Sequence, residues 1–196
     1  MNRELNNEFS WKTATFMAKL SYHAYDGLDE FKKVFKEDWD IKFLDWGGTE
    51  CFILSCPKNY IVSFRGTQAT SWEDIKADIN VHKSKREYQP NNSGTGSVGK
   101  VHSGFRHALN DVWDNLLEDY KKNAQGKQLL VTGHSLGAAL ATLYTDRIND
   151  PKSVCYTFGS PRVGNKDLIS NMNFTCYRFR NNNDIVTRVP FEWLGF

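Results

Sequence analysis

Apolar residues first recur at helical spacing. Over residues 10–25, SWKTATFMAKLSYHAY, positions Trp11, Ala14 or Phe16, Ala18 and Tyr22 fall near one face. Ser10 is placed to cap this helix and Gly27 to end it. A second helix is predicted over about 28–38, carrying Leu28, Phe31, Val34 and Phe35. Then the period changes. DIKFLDW, ECFILSC and NYIVSFRG are short β-rich runs split by Gly-Gly and by Pro-Lys-Asn, which predicts an antiparallel opening to a sheet.

Residues 68–100 break the pattern. They are polar, and QPNNSGTGSVG at 89–99 is dense in turn formers. Long irregular stretches inside a compact domain are usually functional, so a lid or mobile loop is expected there. Beyond it, Phe105, Leu109, Val112, Trp113, Leu116, Leu117 and Tyr120 at 3–4 spacing predict a helix over 103–123. A strand (128–132), a helix (136–148), a strand (153–158), a short helix (about 164–170) and a strand (174–179) follow. Strands alternating with helices predict an α/β fold whose mostly parallel sheet is covered on both faces. No repeat or linker divides the chain, so one domain is expected over 1–196.

Composition narrows the class. The 196 residues are 40% hydrophobic and 24% charged, with a net charge of +2. That charge implies neither a nucleic-acid nor a membrane-surface partner. The most basic run, HKSKRE at 82–87, is interrupted by Ser84 and closed by Glu87, as in a solvated loop. No run approaches the ~20 apolar residues of a membrane span, and MNRELNNEFSW has no apolar signal core. A cytoplasmic location is the expectation. Cys51, Cys56, Cys155 and Cys176 form no C-x-x-C pair and no His–Cys cluster with metal spacing. No cofactor or metal is therefore expected. The four read as reduced, mostly buried thiols, with a Cys155–Cys176 bridge between neighbouring strands as the alternative.

The chemistry concentrates in LLVTGHSLGAALATL, residues 129–143. Gly133-His134-Ser135-Leu136-Gly137 has the form G-x-S-x-G, after a buried strand and before a helix. A serine there occupies a sharp strand-to-helix turn. Side chains at the glycines would strike the neighbouring strand and helix. The helix dipole favours negative charge developing at Ser135. The competing structural role is an ordinary serine N-cap. An acyl-transfer site also needs two donors for the tetrahedral oxyanion. The backbone N–H of Leu136 is one candidate. Thr67, at the end of FRGT (64–67), is the other, with both an N–H and a hydroxyl. Asp184 follows the run TCYRFRN, where a carboxylate could orient an imidazole.

FRGT, VHSGF (101–105), TGHSLGAALATL, YTFGSPRVGN (156–165) and NNNDIVTRVP (181–190) arrive in one order along the chain. In this the sequence resembles the class 3 lipases, the fungal-type branch of the α/β-hydrolases. The resemblance covers roughly residue 14 to the end. It implies an α/β-hydrolase core and hydrolysis of carboxylic esters, typically acylglycerols. It implies Ser135 as nucleophile, Asp184 as triad acid and 68–100 as the lid region, with transient lipid-surface contact. It also implies that Asp78, in KADI at 76–79, accepts a hydrogen bond from Thr67 and turns the Thr67 lone pairs away from the oxyanion. Trp72, Ile75 and Ile79 give the lid only a narrow apolar face, which favours short or soluble esters.

One part is not visible. The family order is Ser, Asp, His, yet His23, His82, His102, His107 and His134 all precede Ser135. His134 is expected to point into the fold, and His102 to be structural. The sequence reads as a lipase core that ends before the catalytic histidine. Two functions follow: a serine esterase whose base lies elsewhere, or an inactive lipase-like domain that binds an acyl ligand or a partner.

Overall fold

A computed structural model of the chain describes residues 5, 8–66, 99–180 and 185–188. Helix α1 spans Trp11–His23, and the Ser10 side chain accepts from the Thr13 N–H, the cap the sequence predicted. Helix α2 spans Leu28–Phe35, where its apolar spacing stops, three residues short of the predicted bound at 38. Trp39 turns into the core instead, and strand β1 (Asp40–Trp46) starts at the next residue. Strands β2 (Thr49–Ser55) and β3 (Asn59–Phe64) follow as antiparallel neighbours. Helix α3 (Ser103–Asn123), strand β4 (Gln128–His134) and helix α4 (Leu136–Ile148) come next. Strand β5 (Val154–Phe158), helix α5 (Lys166–Asn171), strand β6 (Thr175–Phe179) and a 3₁₀ turn (Ile185–Arg188) complete the described chain. Helix α5 starts two residues later than predicted, because Gly164 bridges Val101 and the Asn165 side chain caps Leu168 N–H.

The six strands lie in sequence order, β1 to β6, antiparallel up to β3 and parallel from β3 onward. Parallel crossovers share one hand. When each steps the same way along a sheet, their helices fall on one face. Residues of α3, α4 and α5 accordingly pack together on one side with Cys51, Ile53, Tyr60, Val62 and Val131. The opposite face would be bare without α1 and α2. Met17, Leu20, Phe31 and Phe35 cover it, against Phe52, Leu54, Ile61, Leu130 and Tyr156. No described helix is long and apolar enough to cross a membrane.

A buried polar knot ties α3 to the sheet. Asp119 is 5% exposed. It accepts from Tyr60 Oη at 2.8 Å and from Lys42 Nζ at 2.6 Å. Burial pushes its carboxyl up, but bonds from Lys42, Tyr60 and Asn123, with the Lys42 charge, outweigh that and hold it below its ordinary value. A lowered folded-state value means that Asp119 contributes stability above the unfolded-chain value, near 4. That contribution is lost as pH falls through the lower folded value. Asp119→Asn is expected to destabilise by about 1–3 kcal/mol at pH 7, since a buried donor loses its charged acceptor. Urea unfolding at stepped pH checks this: between about pH 5 and 2 the wild type should lose stability more steeply than the variant, and parallel curves would refute the assignment.

Candidate active site

The parallel strands point their carboxyl ends the same way, and chain ends needed for chemistry collect there. Strand β4 ends at His134. Ser135 follows with φ 56° and ψ −124°, and α4 begins at Leu136. A positive φ on a serine is strained, at about 1–3 kcal/mol. Its neighbours hold it there: Ser135 N–H donates to Phe158 O at 3.0 Å, and Ser135 O accepts from Ala138 N–H at 3.1 Å. The backbone alone fixes the residue. Its hydroxyl makes no capping bond to α4, so the ordinary N-cap role does not account for it. Ser135 is only 5% exposed.

The flanking glycines are required by contact. A Cβ on Gly133 would lie 2.3 Å from the Gly137 carbonyl group, and one on Gly137 would lie 2.4 Å from Phe64 O. The elbow thus wedges α4 between its own strand and the end of β3. That wedge brings the chain before Thr67 to the elbow: a Cβ on Gly66 would sit 2.6 Å from His134 O. Leu136 is the first residue of α4, so its N–H has no acceptor within the helix. It is left available beside the Ser135 hydroxyl. Thr67, Asp78, Asp184 and the lid region 68–100 lie outside the described residues, apart from Gly99 and Lys100. The turn after Asp184 is anchored near the end of β6. Arg178 Nη2 donates to Ser160 O at 2.8 Å and to Thr187 O at 3.1 Å.

His134 departs from expectation. It is exposed rather than turned into the fold. Strand alternation places it on the same face as Thr132, which meets α1 through Ser21 Oγ at 2.8 Å. One step further along, His134 Nδ1 lies 2.9 Å from Tyr25 Oη. Burial pushes the Tyr25 phenol up to about 12, partly offset by the Arg65 charge and a bond from Gly66 N–H. The phenol therefore keeps its proton at neutral pH. It accepts from Gly66 N–H and lies within hydrogen-bond distance of His134 Nδ1. One oxygen joins the strand end before Thr67 to the residue before Ser135. No motif marks Tyr25, and 109 positions separate it from His134, so sequence spacing could not have found it.

The other described histidines are engaged elsewhere. His23 Nδ1 pairs with Asp26 at 2.8 Å. His102 is buried at the start of α3 with its ring 4.4 Å from Phe105. His107 Nε2 meets Arg106 at 3.5 Å. His82 lies outside the described residues. Among the described residues no histidine bonds Ser135.

The sequence profile of the family "Lipase (class 3)" matches residues 61–193. The chain is 32% identical over 154 residues to a chloroplastic phospholipase A(1) of Arabidopsis thaliana, covering 68% of this chain and 34% of that protein. It is 32% identical over 152 residues to a secreted mono- and diacylglycerol lipase of Malassezia globosa, covering 69% and 48%. A triacylglycerol lipase of Ricinus communis matches at 26% over 246 residues, covering 88% and 45%. The chain thus spans less than half the length of these three relatives. Among solved structures, a fungal lipase–inhibitor complex superposes with a TM-score of 0.71 at 26% identity, covering 94% of this chain and 76% of that one. A lipase from Rhizopus microsporus var. chinensis gives 0.72 at 25%, covering 94% and 70%.

Proposed function

Because the chain belongs to the class 3 lipase family of α/β-hydrolases, we propose that it is a serine carboxylic-ester hydrolase acting on acylglycerol-type esters, with Ser135 as nucleophile. One observation carries this: a strained, backbone-held serine at a strand–helix elbow whose hydroxyl does not cap the helix it precedes. The hydroxyl attacks the ester carbonyl as an imidazole takes its proton. Leu136 N–H and Thr67 receive the oxyanion, and Asp78 orients the Thr67 hydroxyl. Asp184 holds the imidazole. The leaving alcohol takes the proton back, and water then frees the acid. Among the described residues no histidine supplies that imidazole, and His82 lies outside them. The acylglycerol class is supported by the relatives' names, a phospholipase A(1) and lipases of mono-, di- and triacylglycerols.

A second reading has its own observation: no described histidine reaches Ser135. A domain lacking the base but keeping the elbow would bind an acyl ligand or a partner without turnover. A fluorophosphonate probe separates the two, since it labels only an activated serine. Free imidazole can stand in for a missing side-chain base. The 196-residue chain should label slowly alone and several-fold faster in imidazole, and the label should map to Ser135. An unchanged, negligible rate in imidazole would favour the binding domain and overturn the hydrolase.

A further inference from the structure

Two sulfurs stand side by side on the sheet away from the elbow. Cys155 on β5 and Cys176 on β6 are direct partners in the parallel register. Neighbouring strands lie ≈ 4.7–4.9 Å apart, inside the Cα separation of about 4.4–6.8 Å that a disulfide spans. Register partners in a parallel pair project to the same face, here the face covered by α4, where Cys155 is fully buried. Both are free thiols in the structure. The two differ in access. The four cysteines were expected to be mostly buried; β6 is the last strand of the described sheet, and Cys176 on it is an exposed residue whose sulfur nonetheless packs against Cys155 and Thr157. It opens onto a cleft of ≈ 620 Å³ that Thr157, Ser160, Met172, Phe174 and Arg178 also line.

The surroundings favour charge on one sulfur only. Thr157 is fully buried, and among the described residues its hydroxyl has no oxygen or nitrogen partner. It lies against Cys176, whose thiolate would accept that orphaned hydrogen. Arg178, two residues along β6, shares the face of Cys176 and is held there by Ser160 O and Thr187 O. The Cys155 thiol, the Thr157 hydroxyl and the Arg178 charge together pull the Cys176 thiol below its ordinary value, against the burial that opposes them. Burial keeps the Cys155 thiol protonated, well above its ordinary value. Neither remaining cysteine is so placed. Cys51 is fully buried, and Cys56 is half-buried beside Asn59 Nδ2 at 3.7 Å.

We propose that Cys176 and Cys155 form a hydroperoxide-oxidisable dithiol, with Cys176 as the reacting sulfur and Cys155 as the resolving one. The Cys176 thiolate attacks the O–O bond of a hydroperoxide. An S–O bond forms, the O–O bond breaks, and the departing alkoxide or hydroxide takes a proton from solvent. Cys176 is then a sulfenic acid. The Cys155 thiol attacks that sulfur, an S–S bond forms, and water leaves with the Cys155 proton. Two thiols lose two electrons and two protons, and the hydroperoxide is reduced to an alcohol and water. A dithiol reverses the step by exchange. The link would fix β6 on β5, the strand whose Phe158 carbonyl holds Ser135 N–H. The proposal does not depend on the hydrolase assignment.

Hydrogen peroxide on the 196-residue chain tests it. Free thiols are blocked after exposure, and peptides are mapped without reduction. The expected product is one Cys155–Cys176 disulfide, reversed by dithiothreitol. Cys176→Ser, at an exposed edge position, should abolish the peroxide-dependent loss of thiols. Cys155→Ala should leave a Cys176 sulfenic acid that a cyclic 1,3-diketone traps. At pH 7, iodoacetamide should label Cys176 about tenfold faster than Cys56. Oxidation that consumes Cys56 while Cys176 stays reduced would overturn the proposal, as would sulfinic acid at Cys176 with Cys155 still free. If Cys155→Ala fails to fold, the wild-type map and Cys176→Ser still decide.

Discussion

Ser135→Ala is expected to lower kcat for p-nitrophenyl butyrate by roughly 10⁴–10⁶-fold once a histidine base is in place, with KM little changed. The size follows from the way triad groups act as one unit, so that losing the nucleophile forfeits nearly all the covalent route. What remains is the oxyanion site and substrate positioning, worth about 10³–10⁴ over water. The alanine fits the elbow's space, although its positive φ costs any β-carbon about the same as serine. Stability should therefore hold while activity falls. Retention of more than about a tenth of the wild-type rate would remove Ser135 from the reaction.

The second large effect is on folding. Gly137→Ala adds one methyl group, and that methyl meets Phe64 O at 2.4 Å, Arg65 C at 2.8 Å and Arg65 O at 2.9 Å. All three are backbone atoms at the end of a buried central strand. None can turn away as a side chain would. Moving α4 outward instead would open the packing of Ala138, Leu140, Ala141 and Tyr144, all essentially buried. Overpacking of this kind costs about 3 kcal/mol or more, against a total stability of about 5–15 kcal/mol for a typical domain. Gly126→Ala is the control. Gly126 has a positive φ of 72° but nothing within 4 Å of an added Cβ, so strain alone should cost about 1–2 kcal/mol. Urea midpoints of the two variants decide the matter. If Gly137→Ala lost no more than Gly126→Ala, the elbow would be looser than the structure describes.

The sequence by itself determined the parts whose cause is local. The 3.6 spacing in α3, the β-rich runs of β1 to β3, the Ser10 cap and the G-x-S-x-G elbow all depend on residues a few positions apart. Each could therefore be placed before any fold was known, and the positions of Ser135 and Leu136 at that turn came with the elbow. Boundaries yielded less well: α2 stops at Phe35, three residues before the predicted bound, because Trp39 beyond it turns into the core and β1 begins. Only the tertiary structure decided what depends on distant residues meeting. It set the strand order, and with it the division of labour that leaves α1 and α2 to cover the face the crossover helices do not. It turned His134 outward toward Tyr25, a contact across 109 positions that no local period encodes. It also placed Cys176 on the last strand of the described sheet beside buried Cys155. The reason is the same each time. Backbone propensity and side-chain alternation act over a few residues, whereas burial, charge pairing and the partner of a given hydroxyl are settled by whichever chain segment packing brings alongside.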